Sequence, residues 1–142
     1  MKWRVVLDTN CLIAALPRRS SYHNIWKDFV DGEYELCVTN EILAEYEEIL
    51  SNKSSSDLAG FVIDVIVNSS NAVFVSPSYR FNLIKADVDD NKFVDCAITA
   101  NAQFIVPEDK HFRVLRSIDF PQVNVIGIKR FLQMLDGGDE QE

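Results

Sequence analysis

No apolar run in this 142-residue chain approaches the ~20 residues needed to cross a bilayer. The opening Met-Lys-Trp-Arg-Val-Val-Leu-Asp has too short an apolar run and no small-residue cleavage site for a signal peptide, so it reads as the first strand of a cytoplasmic protein. Cys-x-x-Cys is absent, which argues against a structural zinc site. Only three cysteines occur, Cys11, Cys37 and Cys96, each in an apolar context. An odd number in a reducing compartment reads as core rather than disulfide. There is no internal repeat, no low-complexity segment and no strong basic patch. The net charge of −8 at first argues against a nucleic-acid partner.

The placement of charge matters more than its sum. Four acids crowd the tail Asp136-Gly-Gly-Asp139-Glu140-Gln-Glu142, and five more are candidates for one metal site. Without these the surface is about neutral, with basic pairs at Arg18-Arg19 and Lys129-Arg130. A polyanionic substrate therefore stays open. The length suggests one domain, expected over residues 1–136, with an acidic, disordered tail at 137–142.

Short β-rich runs alternate with helical patterns. Strands are expected at Trp3–Leu7, Tyr34–Val38, Val73–Val75, Phe104–Val106 and Val123–Ile126. Between them, Tyr22, Ile25, Trp26, Phe29 and Val30 recur at amphipathic-helix spacing, and Gly32 stops that helix. Further helices are expected over Cys11–Leu16, Glu41–Leu50, Asp57–Val67, Asp87 to about Ala102, Phe112–Leu115 and Lys129–Leu135. Thr39 or Asn40 would cap Glu41–Leu50, and Ser56 or Asp57 would cap Asp57–Val67. Alternation of this kind implies βαβ units. Continuous apolar strands such as Val5-Val6-Leu7 imply burial on both faces. The expected fold is α/β: a three-layer α/β/α domain with a central, mainly parallel five-stranded sheet.

In such sheets sites form at the carboxyl ends of the strands. Asp8 follows the first strand directly, and Asp109 comes three residues after the fourth. Thr39 and Asn40 lead from the second strand into the helix carrying Glu45. Asp90 and Asp95 belong to the helix feeding the fourth strand. Clustered carboxylates repel unless a cation neutralises them, and hard oxygen ligands select Mg²⁺ or Mn²⁺. Plainer roles stand beside this one. Asp8 and Asp90 would serve as N-caps. Periodicity does not choose between Glu45 and Glu47, nor composition between Asp109 and Glu108. Asn91 and Asp95 share one helix face at i and i+4.

Four blocks resemble PIN domains. They are Val6-Leu7-Asp8-Thr9-Asn10-Cys11-Leu12-Ile13; Val38-Thr39-Asn40-Glu41-Ile42-Leu43-Ala44-Glu45-Tyr46; Asp87-Val88-Asp89-Asp90-Asn91-Lys92-Phe93-Val94-Asp95-Cys96-Ala97; and Phe104-Ile105-Val106-Pro107-Glu108-Asp109-Lys110-His111-Phe112. They stand in family order and span residues 3 to 135 or so. The sequence is most similar to the bacterial PIN proteins described as toxin components of toxin–antitoxin systems.

The resemblance implies a Mg²⁺- or Mn²⁺-dependent ribonuclease with one or two ions per site. Asp8, Glu45 and Asp109 would be metal ligands, with the third acid drawn from Asp90 and Asp95. Many PIN domains carry that acid where this chain has Asn91. Pro107-Glu108 replaces the usual small, polar pair. Thr9 and Asn10 would support Asp8 by hydrogen bonds, and Lys110 and His111 would contact the RNA backbone. A metal-bound water would attack phosphorus in line and leave 5′-phosphate and 3′-hydroxyl ends. A cognate antitoxin and a homodimer are the implied protein partners.

Other classes fare worse. A haloacid-dehalogenase-type phosphatase needs a second acid where Asn10 stands, and a receiver domain needs an Asp after the third strand, where Ser76-Pro77 follows instead. A non-enzymatic PIN-like module that binds RNA or protein is the remaining alternative.

Overall fold

The computed structural model describes residues 2–85, 88–107, 110–118 and 121–138. Four strands form one parallel sheet: β1 (Arg4–Leu7), β2 (Glu35–Val38), β3 (Ala72–Phe74) and β4 (Phe104–Val106), in the order β3-β2-β1-β4. Helices α1 (Thr9–Ala15) and α2 (His23–Val30) join β1 to β2. Helices α3 (Asn40–Lys53) and α4 (Ser56–Val67) join β2 to β3. A 3₁₀ turn (Val88–Asp90) leads into α5 (Asn91–Ala100), and α5 feeds β4. A 3₁₀ helix (Lys110–Ser117) and α6 (Ile128–Gln133) follow, the latter running on into a π-turn (Met134–Gly138).

The strands are short and apolar because both faces are covered. Val5, Val6, Leu36, Cys37, Val38, Ile105 and Val106 are fully buried, with α5 packed on β1, β2 and β4. Arg4 pairs with Glu35 in register, and Leu7 with Val106. All three cysteines are buried and outside any disulfide, in the core as the sequence implied. Burial pushes Cys37 up to about 11 and Cys96 higher still, so they sit in the core as neutral groups. Among the described residues no helix is long and apolar enough to cross a membrane.

Two helix ends show how local chemistry sets the path. Gly32 adopts φ +81° after α2, a left-handed conformation that glycine takes without strain, and this turns the chain into β2. Asn101 takes φ 54° after α5 and releases the chain for β4. At α3 the cap is Thr39, whose hydroxyl accepts from Ile42 N–H at 3.1 Å. At α4 it is Ser55, one residue earlier than expected, accepting from Leu58 N–H at 3.0 Å.

The expected fifth strand is the main difference. Val123–Ile126 does lie beside β4, but it makes a single parallel bridge, Ile105 to Val125. Ile105 N–H donates to Asn124 O at 2.9 Å and Ile126 N–H to Ile105 O at 3.1 Å. Pro121 before it and Gly127 after it leave too little regular backbone for a ladder. The helix expected from Asp87 likewise begins as a 3₁₀ turn, with Asp87 itself outside the described residues. Residues 139–142 of the expected tail lie outside them too.

Candidate active site

The sheet order fixes where a ligand crevice opens. The chain runs outward from β1 to β2 and β3, then returns to β4 on the other side of β1. The switch point therefore lies between β1 and β4, at their carboxyl ends. Asp8 stands at that place. Its backbone N–H donates to Val106 O across the gap at 3.1 Å. Its carbonyl accepts from Cys11 and Leu12 N–H at 3.0 and 3.1 Å and so starts α1. The residue is 6 % exposed, yet its carboxylate makes no capping hydrogen bond to α1. The backbone of Asp8, not its side chain, starts the helix.

Helix α3 brings the second acid. The buried Tyr46 hydroxyl donates to Leu7 O at 2.6 Å and ties α3 to the end of β1. Burial raises the Tyr46 phenol well above its ordinary range, which keeps it a donor. One residue before it, Glu45 accepts a hydrogen bond from Thr9 Oγ1 on Oε2 and forms an ion pair with Lys92 Nζ through Oε1 at 2.8 Å. Glu47 is exposed instead. This contact distinguishes two acids that helical periodicity could not separate. Asn10 is exposed, and its Oδ1 receives a long contact from Lys53 Nζ at 3.5 Å.

The third element is the start of α5. Asp90 is 9 % exposed, occupies the N-cap position of α5 and makes no side-chain cap there. Lys92 Nζ also donates to Asp89 O at 2.8 Å, which seats this turn beside Glu45. Asn91 and Asp95 bond to the segment that precedes this turn. Asn91 clasps Ile84 twice, accepting from its N–H at 2.9 Å and donating to its O at 2.8 Å. Asp95 Oδ1 accepts from Phe81 N–H at 3.1 Å. Burial raises the Asp95 carboxyl above its ordinary range, with the Phe81 N–H and Arg80 pulling the other way. Together Asn91 and Asp95 clamp the irregular segment 81–85.

Asp109 lies outside the described residues, as do the side chains of Lys110 and His111, whose backbone opens the 3₁₀ helix after β4. Among the described residues, no three acids, histidines or cysteines gather as a metal site. What converges there is Asp8, the Thr9–Glu45 pair and the Asp89–Lys92 turn.

Sequence reasoning missed Lys92 and Tyr46 as parts of this constellation. A signal for Lys92 existed. A cation in the first turn of a helix opposes the helix dipole, so its presence there calls for a nearby acid.

A separate apolar groove of about 790 Å³ runs between α1, α2, the end of α3 and α4. Trp26, Val30, Leu58 and Phe61 line it, with Arg18, His23, Lys27 and Lys53 among its polar residues. Phe61 is 62 % exposed and Val30 52 %.

Comparison with known proteins gives three findings. The PIN domain family matches residues 4–111. No curated protein matches the sequence. The fold is similar to a chain in the crystal structure of VapBC2 from Rickettsia felis bound to a DNA fragment from their promoter, with TM-score 0.60 and 13% identity over 87% of this chain and 98% of that one.

Proposed function

Because this chain belongs to the PIN-domain family, whose members are generally nucleases, we propose that it is a metal-dependent ribonuclease, the toxin of a type II toxin–antitoxin pair. The observation that carries this reading is Asp8 at the β1–β4 switch point, with Glu45 drawn toward it through Thr9.

The side chains fit a hard divalent cation. Their donors are carboxylate oxygens, and Glu45 already holds a cation, the Lys92 ammonium. Asp8, Glu45 and Asp109 would hold one or two Mg²⁺ or Mn²⁺ ions, with a further acid from the start of α5. Asp95 has one oxygen committed to Phe81 N–H, whereas Asp90 belongs to the turn seated against Glu45, which favours Asp90. When bound, the metal activates water and neutralises the phosphate. The chain's own contribution is orientation. Tyr46 fixes α3 against β1, and Thr9 aims Glu45. Lys110 and His111, just past β4, would contact the RNA backbone.

A labelled mixed-sequence RNA incubated with Mn²⁺, with Mg²⁺ and with EDTA tests this. Cleavage is expected with either metal and not with EDTA. No cleavage together with no Mn²⁺-induced rise in melting temperature would leave the non-enzymatic binding module standing.

The antitoxin is the partner we assign to the apolar groove. Its floor is aromatic and aliphatic, while its polar residues include three cations, Arg18, Lys27 and Lys53, in a chain of net charge −8. That combination suits an amphipathic segment with acidic flanks. Lys53 touches both the groove and Asn10, so an occupant would reach the rim of the site. Phe61→Asp is expected to weaken the antitoxin complex roughly thirtyfold, as loss of a buried aromatic anchor does. Calorimetric titration with the cognate antitoxin would measure it. An unchanged affinity would place the partner elsewhere.

A further inference from the structure

Lys92 is the second residue of α5, and its side chain is 13 % exposed. It donates to Glu45 Oε1 at 2.8 Å and to Asp89 O at 2.8 Å, and lies 5.5 Å from the centroid of the Phe93 ring. Its stem packs inward and its charge meets the site. The helix dipole disfavours a cation here, so helix stability does not account for the placement. The acids account for it.

Glu45 is bridged on both oxygens, by Thr9 on one and Lys92 on the other. A hard cation taking Glu45 as a ligand competes directly with the Lys92 ammonium for Oε1. Two cations cannot share that oxygen at contact distance without mutual repulsion. Thr9 presents no such conflict, because a hydroxyl that donates to one carboxylate oxygen is compatible with a metal on the other.

We propose that Lys92 is a built-in counter-ion of the site: it holds Glu45 in place while no metal is bound, and is displaced from Glu45 when a divalent cation enters. The inference rests on the metal-dependent reading above. Lys92 is thus a positioning residue that keeps the acid half of the crevice neutral and ordered, and sets a threshold for metal loading. Once released, its ammonium stays tethered at the crevice edge by the Asp89 carbonyl.

The test is Mn²⁺ binding by calorimetry at low ionic strength, comparing wild type with Lys92→Met, which keeps an unbranched stem without the charge. The variant is expected to bind Mn²⁺ roughly fivefold more tightly, the factor carried by one ion pair at the solvent edge. A merely structural role predicts the opposite sign or no change, and either result in a cooperatively melting variant overturns the proposal. A second measurement needs no variant. Reductive methylation of the wild-type protein, read by mass spectrometry, should label Lys92 faster with Mn²⁺ than without, against the exposed Lys129 as reference. Unchanged labelling would overturn displacement even if Lys92→Met failed to fold. If wild type bound no Mn²⁺ at all, the metal-dependent reading would fall and this one with it. If it bound Mn²⁺ without releasing Lys92, this inference alone would fall.

Discussion

Asp8→Asn is expected to lower metal-dependent RNA cleavage at least about a hundredfold, with the melting temperature within a few degrees of wild type. The two halves of this result have separate causes. Asn is isosteric with Asp and keeps the backbone groups that donate to Val106 O and accept from Cys11 and Leu12 N–H. Because the carboxylate makes no capping bond to α1, removing its charge leaves the helix start intact. What disappears is the negative charge at the switch point. Initial cleavage rates in Mn²⁺ and a thermal melt on the same preparations measure both halves. A variant that cuts as fast as wild type would remove Asp8 from the chemistry. A variant that melts far lower would show the carboxylate to be structural.

Asn91→Ala is expected to destabilise the protein by about 2–4 kcal/mol, read from urea unfolding. Asn91 is 6 % exposed and supplies both hydrogen-bond partners of Ile84, itself 1 % exposed. Alanine leaves a buried N–H and a buried carbonyl unmatched, at about 1–3 kcal/mol each, and partial relaxation of segment 81–85 recovers part of that. Asn91→Asp addresses the family comparison, since many PIN domains carry an acid at this position. A carboxylate there would still accept from Ile84 N–H but would face Ile84 O with a second negative oxygen. We therefore expect Asn91→Asp to lose stability as well, without a gain in cleavage rate. Wild-type stability in Asn91→Ala would overturn the clamp reading.

The legible parts of this fold are those set by local pattern. Val5-Val6-Leu7 and Phe104-Ile105-Val106 read as doubly buried strands because nothing polar interrupts them. The 3-1-3-1 spacing from Tyr22 to Val30 gave α2 within a residue of its observed start. Val123–Ile126 carries the same kind of signal and yet forms one bridge. A strand needs a partner over several residues, and the neighbours of that segment decide this. Ser55 was passed over as a cap because three serines stand in a row and each has the same chemistry. In the site, a carboxylate closing a buried strand was readable at Asp8. The choice of Glu45 over Glu47 was not readable from periodicity, because it depends on Thr9 and Lys92, which are 36 and 47 residues away along the chain. The inward turn of Asn91 was equally hidden, since its partner Ile84 lies in a stretch with no regular period.

The hydrogen bond from Asp8 to Val106 has a consequence for how the protein comes into being. The two residues are made 98 positions apart, so the crevice they close does not exist on a nascent chain until the fourth strand has left the ribosome. At about 5–20 residues per second of synthesis, that interval is on the order of ten seconds. Helix α4 ends at Val67, 39 positions before Val106, so the groove lined by α1 to α4 is made before that crevice is. A partner that seats in that groove would thus have its docking surface on the nascent chain before the crevice exists, so translation order itself would favour the partner.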